Sequence, residues 1–202
     1  PILLMTTAYT AHVWELYGVR SWAAPFLAAI LMANGHGLTD ATSRAAYLSS
    51  IIVLVGALTP ALAGAMSDRR GRTMTGGVIL AASGVCSLLL GWLFTAPFWL
   101  TLAVCFLNGI WVIADSPIYS TAVTELAPRG RLGSTMAFQS VMGFTGAIVS
   151  PIFFGVILDT APAEIGWGLG FSMLGAVAII GVLALLLLRS MPESKLLAGG
   201  NR

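Results

Sequence analysis

Four ionisable side chains interrupt stretches of sequence that are otherwise apolar. His12, Glu15 and Arg20 lie in one such stretch, and Asp115 lies in another. Inside a lipid bilayer each charge would cost at least ~2.5 kcal/mol, so charged groups there usually pair with one another or face water. A buried carboxylate or an imidazole can also exchange a proton near neutral pH. These residues are therefore candidates for binding an ion or moving a proton.

The composition excludes a water-soluble fold. Hydrophobic residues make up 57% of the 202 positions, charged residues make up 9%, and the mean hydropathy is +0.91. Soluble domains usually carry ~25% charged residues. The apolar stretches also lack the regular alternation of a transmembrane β-barrel.

A transmembrane helix needs ~20 apolar residues to cross a bilayer core of ~30 Å. A window of that length finds six candidates, so we predict an all-α membrane protein folded as a single six-helix bundle. The predicted spans are residues 1–33, 42–67, 73–95, 97–126, 131–158 and 166–189.

Basic residues are concentrated at one end of the predicted bundle. Arg44 is the only Lys or Arg residue in the loops at the opposite end. Since Lys and Arg in short loops are retained on the cytoplasmic side, we expect both ends of the chain to be cytoplasmic, in a bacterial inner membrane. The basic residues behind this expectation are Arg69, Arg70, Arg72, Arg129, Arg131, Arg189, Lys195 and Arg202.

A pattern of Pro-x-x-x-Gly-x-x-x-Asp occurs in the second and fifth predicted spans. It runs from Pro60 to Asp68 and again from Pro151 to Asp159. Three spans separate the copies, so the second copy enters the membrane from the other side. This predicts two inverted three-helix repeats, an arrangement that many transporters share.

The Asp at the end of each copy opposes the helix macrodipole and should find a compensating partner. We expect crossed clamps, with Asp68 at the start of the fifth span near Arg131, and Asp159 at the start of the second span near Arg44. The alternative is that both acids face solvent.

The segment from Gly64 to Arg72 reads Gly-Ala-Met-Ser-Asp-Arg-Arg-Gly-Arg. It resembles the loop signature of the major facilitator superfamily, although Met66 and Thr73 depart from the fuller pattern. The resemblance implies a conformational gate motif on a cytoplasmic loop. Its residues here are Gly64, Asp68, Arg69, Gly71 and Arg72, with Arg131 before the fifth span.

The resemblance also implies that the chain is one half of a twelve-helix carrier. The fourth span has no Arg, which favours the C-terminal over the N-terminal half, and the start at Pro1 and the short polar end agree. In this family the first and fourth helices of each half line a central cavity, and these are the spans that carry the charges.

Polar and aromatic residues share faces on these two helices. Residues three or four positions apart lie on one helix face. On this basis we expect Arg20 to fix an anionic group, while Glu15, Asp115 or His12 takes up the coupling proton. Gly18 and Pro117 can interrupt their helices near this level. The shared faces hold Tyr9, His12 and Glu15 on the first span, and Asn108, Trp111, Asp115 and Tyr119 on the fourth.

Structural interpretations stand beside the functional one. Arg20 can simply neutralise Glu15 or Asp115 as a pair that joins two helices, and His12 can be an interfacial residue. Gln139 is a weaker further candidate.

The residues and the resemblance together predict a secondary transporter that moves a small anionic solute by alternating access, in proton-coupled or exchange transport. Its expected partners are a small-molecule substrate, the bilayer and the other six-helix half, with no nucleic acid. The chain shows no phosphate loop, His-x-x-x-His motif or paired Cys, so we expect no enzyme, cofactor or metal site. The alternatives are a non-transporting membrane sensor or a half-size subunit that dimerises.

Overall fold

The computed structural model describes residues 1–201, and within them six helical spans are long and apolar enough to cross a membrane. The protein is thus a multi-pass integral membrane protein, as predicted. Residues Gly91–Leu93 and Pro192–Gly200 add short 3₁₀ segments. The α-helices are α1 (Ile2–Ala33), α2 (Leu38–Gly56), α3 (Thr59–Arg70), α4 (Arg72–Leu90), α5 (Phe98–Ala114), α6 (Ser116–Leu126), α7 (Leu132–Thr160) and α8 (Gly166–Ser190).

Two of the spans are each divided into two helices next to a proline. The second span stops after α2 and resumes as α3, with Pro60 in the first turn of α3. The fourth span breaks at Asp115, which ends α5 and begins α6, with Pro117 in the first turn of α6. A proline lacks the N–H that would continue the preceding helix. The expected interruption near Pro117 is therefore confirmed.

The expected interruption at Gly18 is wrong, because α1 runs without a break from Ile2 to Ala33. A Cβ atom on Gly18 would lie 2.7 Å from the Ser150 hydroxyl and would also overlap the Leu174 side chain. Gly18 thus lets α7 and α8 approach α1 closely, and it does not act as a hinge.

The packing of the spans agrees with two inverted three-helix repeats. The first span packs on the fifth through α1 and α7, and the fourth packs on the second through α5 and α2. The third and sixth spans, α4 and α8, form the most extensive contact of all. In a repeat of three helices, spans one, two and three correspond to spans four, five and six. The contact between spans one and five then corresponds to the contact between spans four and two, as observed.

The predicted crossed clamps are wrong. Asp68 forms an ion pair with Arg72 one turn away, and Arg44 pairs with Asp40 at 2.7 Å. No ion pair joins Asp68 to Arg131 or Asp159 to Arg44 among the described residues. A partner four residues away in the sequence costs little ordering entropy, so Asp68 and Arg44 are both satisfied locally.

Candidate functional site

His12 and Asp115 meet in the interior of the bundle. The Nδ1 atom of His12 lies 2.9 Å from Oδ1 of Asp115, and both side chains are almost fully buried. The two atoms lie within ion-pair distance, although they lack the alignment of a hydrogen bond. The Tyr119 hydroxyl donates to Oδ2 of Asp115 at 2.6 Å, and Ser116 Oγ lies 3.1 Å from Nε2 of His12.

The break in the fourth span positions this cluster. Asp115 is the junction residue between α5 and α6, with φ −86° and ψ −5°. Tyr119 and Ser116 follow on α6, so the same break that ends α5 sets all three side chains toward α1. Any change in the angle between α5 and α6 would move Asp115 relative to His12.

Glu15 lies one helical turn from His12 and is completely buried. Its Oε1 accepts a hydrogen bond of 2.6 Å from Ser87, and its Oε2 accepts one of 2.9 Å from Ser83. Asn108 donates to Ser87 Oγ at 3.0 Å and to the Ser83 carbonyl at 3.1 Å, which joins α5 to the network. Within residues 1–201 no basic side chain forms an ion pair with Glu15.

Five of the seven predicted site residues are therefore together in two neighbouring polar clusters: His12, Glu15, Asn108, Asp115 and Tyr119. Arg20 and Trp111 are not. Arg20 is exposed and joins neither acid, so the interpretation of Arg20 as their structural partner is wrong. Trp111 faces a cavity between α3, α4 and α5.

Sequence reasoning missed Ser83 and Ser87, the two donors to Glu15. They lie four residues apart on α4, and both are buried. A pair of hydroxyl residues on one face of an apolar helix was an available signal. Gln139, the weaker candidate, is buried on α7, and its Nε2 atom has no partner.

The motif between α3 and α4 forms a polar cluster at the Arg-rich end of the bundle. Gly71 adopts φ +94°, a conformation that favours glycine, and so allows α4 to start directly after α3. Arg72 is buried there and pairs with Asp68 and, at 2.9 Å, with Glu125 at the end of α6. Sequence reasoning also missed Glu125.

The remaining motif residues are not in this cluster. Arg69 and Arg131 are exposed, and a Cβ atom on Gly64 would have no neighbour within 4 Å. Arg72 is thus the motif arginine that links α3, α4 and α6.

Comparison with known proteins gives matches along nearly the whole chain. The chain is 27% identical over 185 residues to a gentisate transporter of Corynebacterium glutamicum, covering 90% of this chain and 37% of that protein. It is 24% identical over 165 residues to the membrane sensor protein UhpC of Escherichia coli K12, covering 81% and 36%. The chain thus spans little more than a third of the length of these relatives.

Solved structures share the fold. The proton:xylose symporter XylE bound to 6-bromo-6-deoxy-D-glucose superposes with a TM-score of 0.75 at 19% identity, covering 96% of this chain and 44% of that chain. The inward-open form of XylE from E. coli gives a TM-score of 0.73 at 21% identity, with coverage of 96% and 48%. The family model described as Major Facilitator Superfamily matches residues 16–202. The chain therefore belongs to the major facilitator superfamily.

Proposed function

We propose that this chain forms half of a secondary transporter that moves a small anionic solute by alternating access, and that Glu15 takes up the coupling proton. The observation that supports a proton site best is the complete burial of the Glu15 carboxyl group, which has no ion-pair partner among the described residues. The proposed protein is a carrier and not an enzyme, since its family membership and its fold neighbours are those of carriers.

A buried carboxylate that has hydroxyl donors alone is costly in its charged form and far less costly once a proton neutralises it. Release of that proton requires water or a cation to reach Glu15, and the carboxyl group is completely buried against Ser83 and Ser87. Proton exchange at Glu15 is thus tied to a rearrangement of α1, α4 and α5. This is the coupling that a proton-driven carrier needs.

The position of Arg20 is the evidence that the solute is an anion. It lies near the middle of α1, is exposed on the surface of this bundle, and has no ion-pair partner among the described residues. An Arg at such a depth is expected to face a water-filled pathway. The gentisate transporter is a relative whose substrate name denotes a carboxylate, and Arg recognises carboxylates well.

We further propose that the other six-helix half covers the Arg20 face of α1, and that the solute binds between the halves. The Arg-rich end then lies in the cytoplasm, because positively charged short loops are retained there. A bacterial inner membrane fits the two relatives, which come from Corynebacterium glutamicum and Escherichia coli. A half-size subunit that dimerises would build an equivalent pathway from two copies.

Uptake into proteoliposomes that contain the full-length protein tests the transport proposal. Gentisate and a panel of other small carboxylates would be offered with and without an inward proton gradient. We expect gradient-dependent uptake of at least one carboxylate. Replacing Arg20 by Gln should lower that uptake ~10-fold or more, because a hydrogen bond to a charged group contributes ~1.5–3 kcal/mol.

Arg44→Gln is the matched control. Arg44 is exposed and pairs with Asp40 at the start of α2, so its loss should leave uptake near the wild-type rate. Equal uptake by the wild type and Arg20→Gln would remove Arg20 from the pathway.

A sensor is the second candidate function, because UhpC is named a membrane sensor protein. A sensor would bind its ligand without moving it across the membrane. Saturable binding to the purified protein together with no uptake under any gradient would favour this function over transport.

A further inference from the structure

A narrow apolar groove runs along α3 on the side that faces α4 and α5. Its cavity volume is about 360 Å³. On α3 it is lined by residues three to four positions apart, from Thr59 through Leu62 and Met66 to Arg70, which form one continuous helix face. At 1.5 Å per residue this face is ~16 Å long. The groove is therefore long enough to hold part of an extended hydrocarbon chain.

The groove opens sideways to the surface of the bundle. Leu62 is 69% exposed, Val78 is 54% exposed and Met74 is 48% exposed, although all three line it. Trp111 of α5 forms part of its inner wall. The groove lies beside α3, the helix that follows the division of the second span before Pro60.

Polar groups without partners lie at the Arg-rich end of the groove. Arg70 lines it and forms no ion pair among residues 1–201, whereas the nearby Arg72 is engaged by Asp68 and Glu125. Thr75 also lines it, is 5% exposed, and its hydroxyl has no hydrogen-bond partner. One end of the groove can thus hold an acceptor with negative charge, while the rest suits hydrocarbon.

We propose that this groove binds one acyl chain of an anionic glycerophospholipid, with the lipid phosphate at Arg70. The groove lies in a membrane-spanning region, so lipid hydrocarbon surrounds it at far higher concentration than any solute. Basic pockets between helices at the cytoplasmic side are recognised sites for anionic headgroups. The bound chain supports α3 against α4 and α5 and holds the second span in its divided form.

Native mass spectrometry of the full-length protein tests this proposal, with phosphatidylglycerol and phosphatidylcholine of the same acyl chains as probes. We expect phosphatidylglycerol to bind more tightly than phosphatidylcholine. Arg70→Gln should weaken phosphatidylglycerol binding about fivefold, as one interfacial cation is lost. It should weaken phosphatidylcholine binding less, because the choline group of that lipid neutralises its phosphate charge. The matched control is Arg69→Gln, which removes an adjacent exposed cation that does not line the groove.

The position of the acyl chain needs a second measurement. Phosphatidylglycerol with brominated acyl chains should quench the fluorescence of the wild type more than that of Trp111→Phe. Val78→Trp should lower phosphatidylglycerol binding by filling the groove. Val156→Trp is its control, because Val156 is a Val of similar exposure, 52%, on α7.

Three results would overturn the proposal. Equal binding of both lipids to the wild type and to Arg70→Gln would mean that the groove has nonspecific apolar contact alone. Identical quenching of the wild type and Trp111→Phe would place the chain elsewhere. The absence of any bound phosphatidylglycerol would mean that another element, such as the second half of the carrier, covers the groove.

Discussion

The contact between His12 and Asp115 places two ionisable groups together inside the bundle. Both side chains are almost fully buried, and the Tyr119 hydroxyl donates a hydrogen bond to the Asp115 carboxyl group. Removing one member of such a pair leaves the other as an uncompensated buried charge, which costs more than the pair itself contributes. The stability of the bundle should therefore depend on both residues together.

We predict that His12→Leu lowers the free energy of unfolding by ~3 kcal/mol. Asp115→Asn should cost less, and the double variant should be less destabilised than the sum of the two. Thermal unfolding in detergent of the four proteins gives this double-mutant cycle.

His36→Leu is the control for that cycle, because His36 pairs with Asp40 at 2.8 Å in a partly exposed position. Its loss should cost less than ~1 kcal/mol. A cost for His12→Leu as small as that for His36→Leu would show that the buried pair is not an ion pair.

Helix periodicity could predict part of this site from the sequence. Asn108, Asp115 and Tyr119 share one face of the fourth span. In the structure Asp115 contacts α1, Tyr119 donates to Asp115, and Asn108 donates to α4. Arg20 is five residues from Glu15, so the two side chains point ~140° apart around the helix, and Arg20 could not reach the acids. Ser83 and Ser87 gave too weak a signal, because Ser also satisfies itself on its own helix.

At the scale of helices, the same Pro-x-x-x-Gly-x-x-x-Asp pattern gives two different results. Pro60 begins a new helix, whereas Pro151 lies inside the continuous α7. The Pro151 carbonyl accepts a hydrogen bond from Trp22 at 3.0 Å, and Ser150 donates to the Trp14 carbonyl at 2.7 Å. These bonds hold α7 along α1, while α3 has an open groove beside it. The two copies of the pattern are alike, so the pattern cannot predict that one helix breaks and the other does not. The difference comes from contacts with other helices.

Gly18 provides a test of close helix packing. We predict that Gly18→Ala destabilises the protein by ~1–3 kcal/mol, because its methyl group would overlap Leu174 and approach Ser150 on two other helices. Thermal unfolding in detergent measures this cost.

Gly64→Ala is the comparison, since a methyl group there would meet nothing within 4 Å in this bundle. It should be neutral or slightly stabilising in an exposed helix. A stable Gly18→Ala protein would mean that α1 is separated from α7 and α8 more widely than the structure shows.

At the scale of the whole molecule, hydropathy could predict the six spans, because the apolar length needed to cross a bilayer is set by its thickness. The boundaries differ most in the second span, predicted as residues 42–67 and observed as Leu38–Arg70. Polar residues such as Asp40 and Arg44 lie on its first turns, where the helix continues beyond the apolar stretch.

The claim that Glu15 couples proton movement to transport is tested most directly by comparing two transport modes in Glu15→Gln. Gln keeps the size of the side chain and is uncharged, as a protonated Glu15 is, but it cannot exchange a proton. We predict that uptake driven by a proton gradient falls to the level without a gradient, while exchange of internal for external substrate continues. Glu164→Gln, which removes an exposed acid outside the bundle, should behave as the wild type. Gradient-driven uptake by Glu15→Gln at the wild-type rate would contradict the assignment.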